Sequence, residues 1–320
     1  MIFGNLILNH VVSQALAEKH PTRDYDHCIN RRQVKNPCLV CAEICPQKVY
    51  FGPGSQKTRF SQCSNCNLCV TACPSRCIAS SASNVSAYLK LLRIPEETIY
   101  IASDGYEGDA HLRTGCFATL SWEYLAYLGL EKKVVFLTDS MPEPEPDAGQ
   151  IWQDTLTRLC LFFGEEEYQK RFSFSPDPHH ADRQEISRRE LFQKAGEEIR
   201  SHISSFAPSK GMMDGLLYRH LLKSLLAHRE EQAPFGWVIP MISSSCKGCG
   251  VCTRLCPQQA LTVKKEENGF QVILYPFRCS TCRLCQKSCI HHAIEDFGVT
   301  RLTSLQPLLL FQNGHEKENP

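Results

Sequence analysis

The stretch Cys63-Ser-Asn-Cys66-Asn-Leu-Cys69-Val-Thr-Ala-Cys73-Pro74 sets three cysteines two residues apart, a fourth after three more, and proline next. The same run returns as Cys246, Cys249, Cys252 and Cys256-Pro257. It returns again as Cys279, Cys282, Cys285 and Cys289, with Ile290 in place of the proline. A shorter copy, Cys38, Cys41 and Cys45-Pro46, has Lys35 where its first cysteine belongs. Two copies lie in each half, which is the signature of an internal duplication. Between Ile78 and Ser245 the only cysteines are Cys116 and Cys160, out of 19 in the chain.

Working outward, the N-terminus MIFGNLILNH has no basic n-region, and its apolar run breaks at Asn9-His10. It does not read as a signal peptide. No stretch approaches the roughly 18 consecutive apolar residues of a membrane span. The expected location is therefore the cytoplasm, where disulfides are rare and grouped thiols hold metal or do redox chemistry. Lys and Arg number 35 against 34 Asp and Glu and form no single block, so no nucleic-acid partner is expected. A length of 320 residues suggests two or three domains.

Three thiolates at this spacing wrap one face of an iron–sulfur cubane. On these runs the chain resembles the bacterial two-cluster 4Fe-4S ferredoxins, over roughly residues 28–80 and 237–298, in a duplicated, polyferredoxin-like arrangement. The resemblance implies four 4Fe-4S clusters with crossed ligation within each half. Cys246, Cys249 and Cys252 would take Cys289, and Cys279, Cys282 and Cys285 would take Cys256. Cys63, Cys66 and Cys69 would take Cys45. Cys38, Cys41 and Cys73 are left one thiolate short, and Cys28, at the head of a nine-residue loop, is the candidate. At Cys28 a free thiol or a three-iron cluster is the alternative. Cys77, Cys116 and Cys160 remain as small buried hydrophobes.

Tetrahedral zinc is the competing structural reading, but it has no use for a third cysteine followed by x3-Cys-Pro. A radical-SAM cluster needs Cys-x3-Cys-x2-Cys, and the third place holds Lys48, Arg76, Gln259 or His292. His291 and His292 suit a surface or supporting role beside the last cysteine.

The expected fold class is α+β: two ferredoxin modules flanking an α/β middle domain with helical extensions. The expected divisions are 1–83, 84–234, 235–298 and a tail, 299–320. Residues 260–263 and 270–275 read as strands joined by an Asn268-Gly269 turn, with an N-terminal equivalent from Val49 to Phe60. In the middle, Thr98–Ala102 and Lys133–Thr138 read as buried strands around a helix from Leu120 to Leu130, a β-α-β order. Asp104–Gly115 reads as a loop that could face a ligand, without a G-x-G-x-x-G or Walker sequence. Pro142–Asp147 reads as a stiff acidic loop, and Ser187 with Glu190 as a capping box. The leucines from Met213 to Arg229 form an amphipathic stripe, and Leu308–Phe311 is a segment for docking on a partner or on the chain itself.

No catalytic constellation stands outside the cysteines. The expected function is single-electron transfer between a donor and an acceptor redox protein, as a partner or subunit of a redox enzyme. The rivals are an oxidoreductase with a flavin or substrate in the middle domain, and a cluster-dependent sensor or assembly protein. Four clusters on 16 thiolates move the formal charge from +1 to about −7. Salt-sensitive electron-transfer rates are then expected, from steering toward a basic patch on the partner, and stopped-flow reduction across a salt series checks this.

Overall fold

A computed structural model describes residues 20–33, 36–50, 60–138, 146–175, 217–228 and 234–314. Both helices and strands are present, and the strands form four small sheets among the described residues.

The N-terminal half contains β1 (Thr22–Arg23), α1 (Ile29–Arg32), α2 (Val40–Glu43), α3 (Leu68–Ala72) and β2 (Ile78–Ala79). β1 and β2 pair antiparallel, Arg23 opposite Ile78, and so bring the two ends of the cysteine-rich segment together. Val70, Tyr50 and Ile78 pack with the cysteines in a small core of their own. The expected strands of the Val49–Phe60 hairpin lie outside the described residues over 51–59.

Next come α4 (Ala82–Leu91), β3 (Thr98–Ser103), β4 (Leu112–Thr114), α5 (Trp122–Glu131) and β5 (Lys133–Leu137). They are followed by α6 (Pro146–Phe163), α7 (Glu165–Arg171), β6 (Phe172–Ser175) and α8 (Leu217–Ala227). The sheet order is β4-β3-β5-β6, all parallel. Strands of such a sheet are covered on both faces, which accounts for the apolar runs of β3 and β5. Ser121 starts α5, its hydroxyl accepting from Tyr124 N–H at 3.2 Å. Trp122, Glu123, Tyr124, Leu125, Ala126 and Leu128 are all buried, so this helix is interior on nearly every side. α6 buries Trp152, Thr155, Leu159 and Phe162, a stripe at helical spacing.

Two details differ from the sequence reading here. The Asp104–Gly115 loop contains the edge strand β4, whose three residues are too few to show a period. Pro146 and Asp147 already belong to α6, the rest of that acidic stretch lying outside the described residues, as does the Ser187–Lys194 capping box. The leucine stripe is core: Leu222, Leu225 and Leu226 of α8 are buried.

The C-terminal half runs β7 (Phe235–Ile242), α9 (Val251–Leu255), β8 (Leu261–Glu266), β9 (Gly269–Leu274), α10 (Leu284–Lys287), β10 (Ile294–Leu302) and β11 (Leu308–Gly314). β7 pairs antiparallel with β10, and β9 lies between β8 and β11. Gly269 pairs with Glu266, so the hairpin turns on Glu267 and Asn268, one residue earlier than the Asn-Gly reading. Leu308–Phe311 docks on the chain itself, Leu308 opposite Leu274. One core continues from the middle sheet into this half: Trp122 packs edge-on against Trp237 at 5.3 Å, and Trp237 against Phe277 at 4.6 Å.

Candidate metal centre

The two halves open alike. Ser243, just after β7, donates its N–H to Ala293 O at 2.8 Å, and Cys246 N–H donates to Ser243 O at 3.1 Å. Asp24, just after β1, donates to Cys77 O at 2.8 Å, and Cys28 N–H donates to Tyr25 O at 3.1 Å. Cys28 thus has the place in its half that Cys246 has in the other. The longer loop to Cys38 is clasped by Asn30, whose Nδ2 donates to Cys38 O at 2.8 Å while its Oδ1 accepts from Cys38 N–H at 2.6 Å.

The halves also close alike. Lys48, Arg76, Gln259 and His292 each stand three residues after a fourth cysteine, with φ of 48°, 54°, 50° and 49°. Each N–H donates to the carbonyl of that cysteine at 3.0–3.2 Å. The next N–H in each case reaches the cysteine's sulfur: Val49 to Cys45 and Cys77 to Cys73 at 3.4 Å, Ala260 to Cys256 at 3.2 Å, and Ala293 to Cys289 at 3.3 Å. Left-handed backbone costs a side-chain-bearing residue about 1–2 kcal/mol. Four unrelated side chains accept it, so the turn and not the residue type imposes the conformation. The turn after Cys289 forms without proline, leaving Ile290 68% exposed.

Three runs share a second device. Asn65, Gly248 and Thr281 before the second cysteine have positive φ, as do Asn67, Gly250 and Arg283 after it. The run from Cys38 lacks it, Leu39 standing at φ −109°.

These turns group the sulfurs. Cys246, Cys249, Cys252 and Cys289 line one cavity of about 400 Å³, counted with its opening to solvent, with His291 also on its wall. Cys45, Cys63, Cys66 and Cys69 line another of about 350 Å³, with Tyr50 and Asn67. Cys256 lies within electrostatic reach of Cys279, Cys282 and Cys285. Cys28, Cys38, Cys41 and Cys73 lie within reach of one another. Among the described residues no three His, Cys, Asp or Glu side chains are placed to hold a single metal ion. The thiols of the first two groups ring open space instead.

Burial pushes the Cys279 thiol up to about 12, and Cys69 to about 12 against the hydrogen bond from Tyr50, whose hydroxyl lies 3.6 Å from the sulfur. Such sulfurs keep their protons until a cation compensates them, and iron does so. In the Cys28 group the Cys77 thiol hydrogen-bonds to both Cys28 and Cys73, at 3.5 Å from the latter, and draws them down to about 7 and about 6.

Residues 245–293 match the 4Fe-4S dicluster domain. That stretch is of ferredoxin type and supports 4Fe-4S binding and iron–sulfur electron transfer. No curated protein and no solved structure matches the chain. No helix among the described residues is long and apolar enough to cross a membrane.

Sequence reasoning missed several residues here. Cys77 is buried, as expected, and its thiol in addition lies 3.5 Å from that of Cys73. Its one signal is position: it stands four residues after Cys73, where the other repeats carry Val49, Ala260 and Ala293. Cys116 and Cys160 are half-buried, and Cys160 donates to Glu165 Oε2 at 2.8 Å, outside every group. Asn30 and Tyr50 carried no signal.

Proposed function

We propose that the chain carries single electrons through four 4Fe-4S clusters, between a donor and an acceptor redox protein in the cytoplasm, as the partner or a subunit of a redox enzyme. The carrying observation is the company each fourth cysteine keeps. Cys289 lines a cavity with the three cysteines of the other run in its half, and Cys45 does the same. The donor sets fit the group: four sulfurs each, two of the sets around open space, with a backbone N–H on the sulfur of every fourth cysteine. Bound there, the clusters supply one-electron reduction and oxidation. The chain's part is to hold them by thiolates, to shield them by burial, and to spread charge through N–H···S contacts, which raise the potential.

Iron, acid-labile sulfide and zinc per chain, measured after strictly anaerobic purification, test the reading together with EPR of the reduced protein. About 16 iron and 16 sulfide are expected, with magnetic coupling between clusters. Cys28→Ala is expected to remove about four of those irons or leave a three-iron signal. Iron unchanged by that substitution makes Cys28 a free thiol, and zinc in place of iron sinks electron transfer.

A further inference from the structure

Ser75 and Gln258 hold the same place in the two halves, two residues past Cys73 and Cys256. They touch: Gln258 Nε2 donates to Ser75 O at 2.6 Å, and both residues are buried. Beside this contact lies a buried ionic group. Arg76 donates to Thr71 O at 2.5 Å and to Glu123 Oε2 at 3.3 Å. Arg219, lying between the rings of Trp122 and Trp237, holds Glu123 Oε1 at 2.5 Å and donates to the carbonyl of Cys279. Arg158 donates to Thr281 Oγ1 at 2.7 Å, one residue before Cys282.

The group therefore spans from the Cys73 quartet to the quartet of Cys256, Cys279, Cys282 and Cys285. Burial works to raise the Glu123 carboxyl, but Arg76 and Arg219 outweigh it and hold it ionised below the usual carboxylate range. Arg76 and Arg219 against Glu123 leave an excess of one positive charge in the interior, with half-buried Arg158 beside them and Asp154 near it. With clusters bound on both flanks, their thiolates would supply negative charge opposite it.

We propose that Arg76, Glu123, Arg158 and Arg219 are the electrical joint between the two halves, setting how readily the Cys73 quartet and the Cys279 quartet each accept an electron. This rests on the four-cluster reading above. An electron crossing the joint oxidises one side by one and reduces the other by one, with no bond made or broken and no proton moved. A one-electron donor protein supplies it, and an acceptor protein withdraws it.

The test is an EPR-monitored potentiometric titration of the full chain, with dithionite as reductant, on the parent protein, Glu123→Gln and Arg158→Gln. Iron and sulfide are assayed on every sample. Glu123→Gln removes a negative charge, so two of the four potentials are expected to rise while the other two stay. A tenfold gain in the reduction equilibrium reads as about 59 mV for a one-electron couple. Arg158→Gln removes a positive charge from a half-buried position and is expected to lower the potential of the Cys279 quartet. A loosened fold moves both variants the same way, so opposed signs are the deciding readout. Shifts of one sign, or no shift in chains that keep their iron, overturn the proposal. If Glu123→Gln does not fold, Arg158→Gln decides alone, and an unchanged or raised potential refutes the joint. Parent protein with iron short of four clusters fails the four-cluster reading instead.

Discussion

Cys256→Ala is expected to empty the quartet of Cys279, Cys282 and Cys285 and to leave that of Cys246, Cys249 and Cys252 filled. In sequence Cys256 lies four residues from Cys252, yet its sulfur is an electrostatic neighbour of all three of Cys279, Cys282 and Cys285, whereas Cys252 reaches only Cys285. Its own sulfur accepts from Ala260 N–H at 3.2 Å. On the four-cluster proposal, iron per chain is expected to drop from about 16 to about 12. Pairs of substitutions make the argument sharp, because changes at one cluster are not additive while changes at two are. Adding Cys279→Ala is expected to remove nothing more, whereas adding Cys246→Ala takes the chain to about 8 iron. Ligation within a run reverses that pattern. A three-iron remnant assigns itself by whichever second substitution abolishes its EPR signal.

Gly236→Ala is expected to be the most damaging single methyl in the described fold. A Cβ there would sit 1.8 Å from Leu161 O and 2.7 Å from Leu161 C, which are backbone atoms of α6. No rotamer relieves a clash between backbones, so either β7 or α6 must move. Phe235 and Phe162, whose ring centres lie 5.3 Å apart, would move with them. Overpacking typically costs about 1–3 kcal/mol and more where nothing can yield, so about 3 kcal/mol is expected here. Gly115→Ala is the control, since its nearest neighbour would be Asp104 Oδ2 at 3.6 Å, an ordinary contact. Thermal midpoints by far-ultraviolet circular dichroism are compared at matched iron content, because a bound cofactor itself raises the midpoint. A Gly236→Ala midpoint no lower than that of Gly115→Ala refutes the steric argument.

What a sequence can say here is bounded by distance along the chain. The spacing of Cys246, Cys249 and Cys252 is local, so the meeting of their sulfurs is written in a few residues. The β3-α5-β5 order is likewise legible from two apolar runs and a capped helix. The Asn-Gly dipeptide marked the hairpin but missed its centre by one residue, because the pairing of Gly269 with Glu266 sets the register. The contacts of Glu123 with Arg76 and Arg219 span 47 and 96 residues and leave no period or motif. A glutamate in the midst of Trp122-Glu-Tyr-Leu reads as the wet edge of a helix until α8 is seen to bring Arg219 over it. The left-handed turns were hidden for another reason: Lys, Arg, Gln and His share no chemistry, and only their common offset from cysteine betrays them.

The core shared by the middle sheet and the C-terminal half has a consequence for how the chain can be cut. Phe235 and Trp237, both packed on Phe277, face Phe162 and Trp122, so a fragment beginning at β7 would present its aromatic wall to water. A C-terminal piece cut out at β7 is therefore expected not to behave as a free-standing cassette. Substitutions in α5 or α6 are expected to couple in stability with those in β7, because their side chains touch.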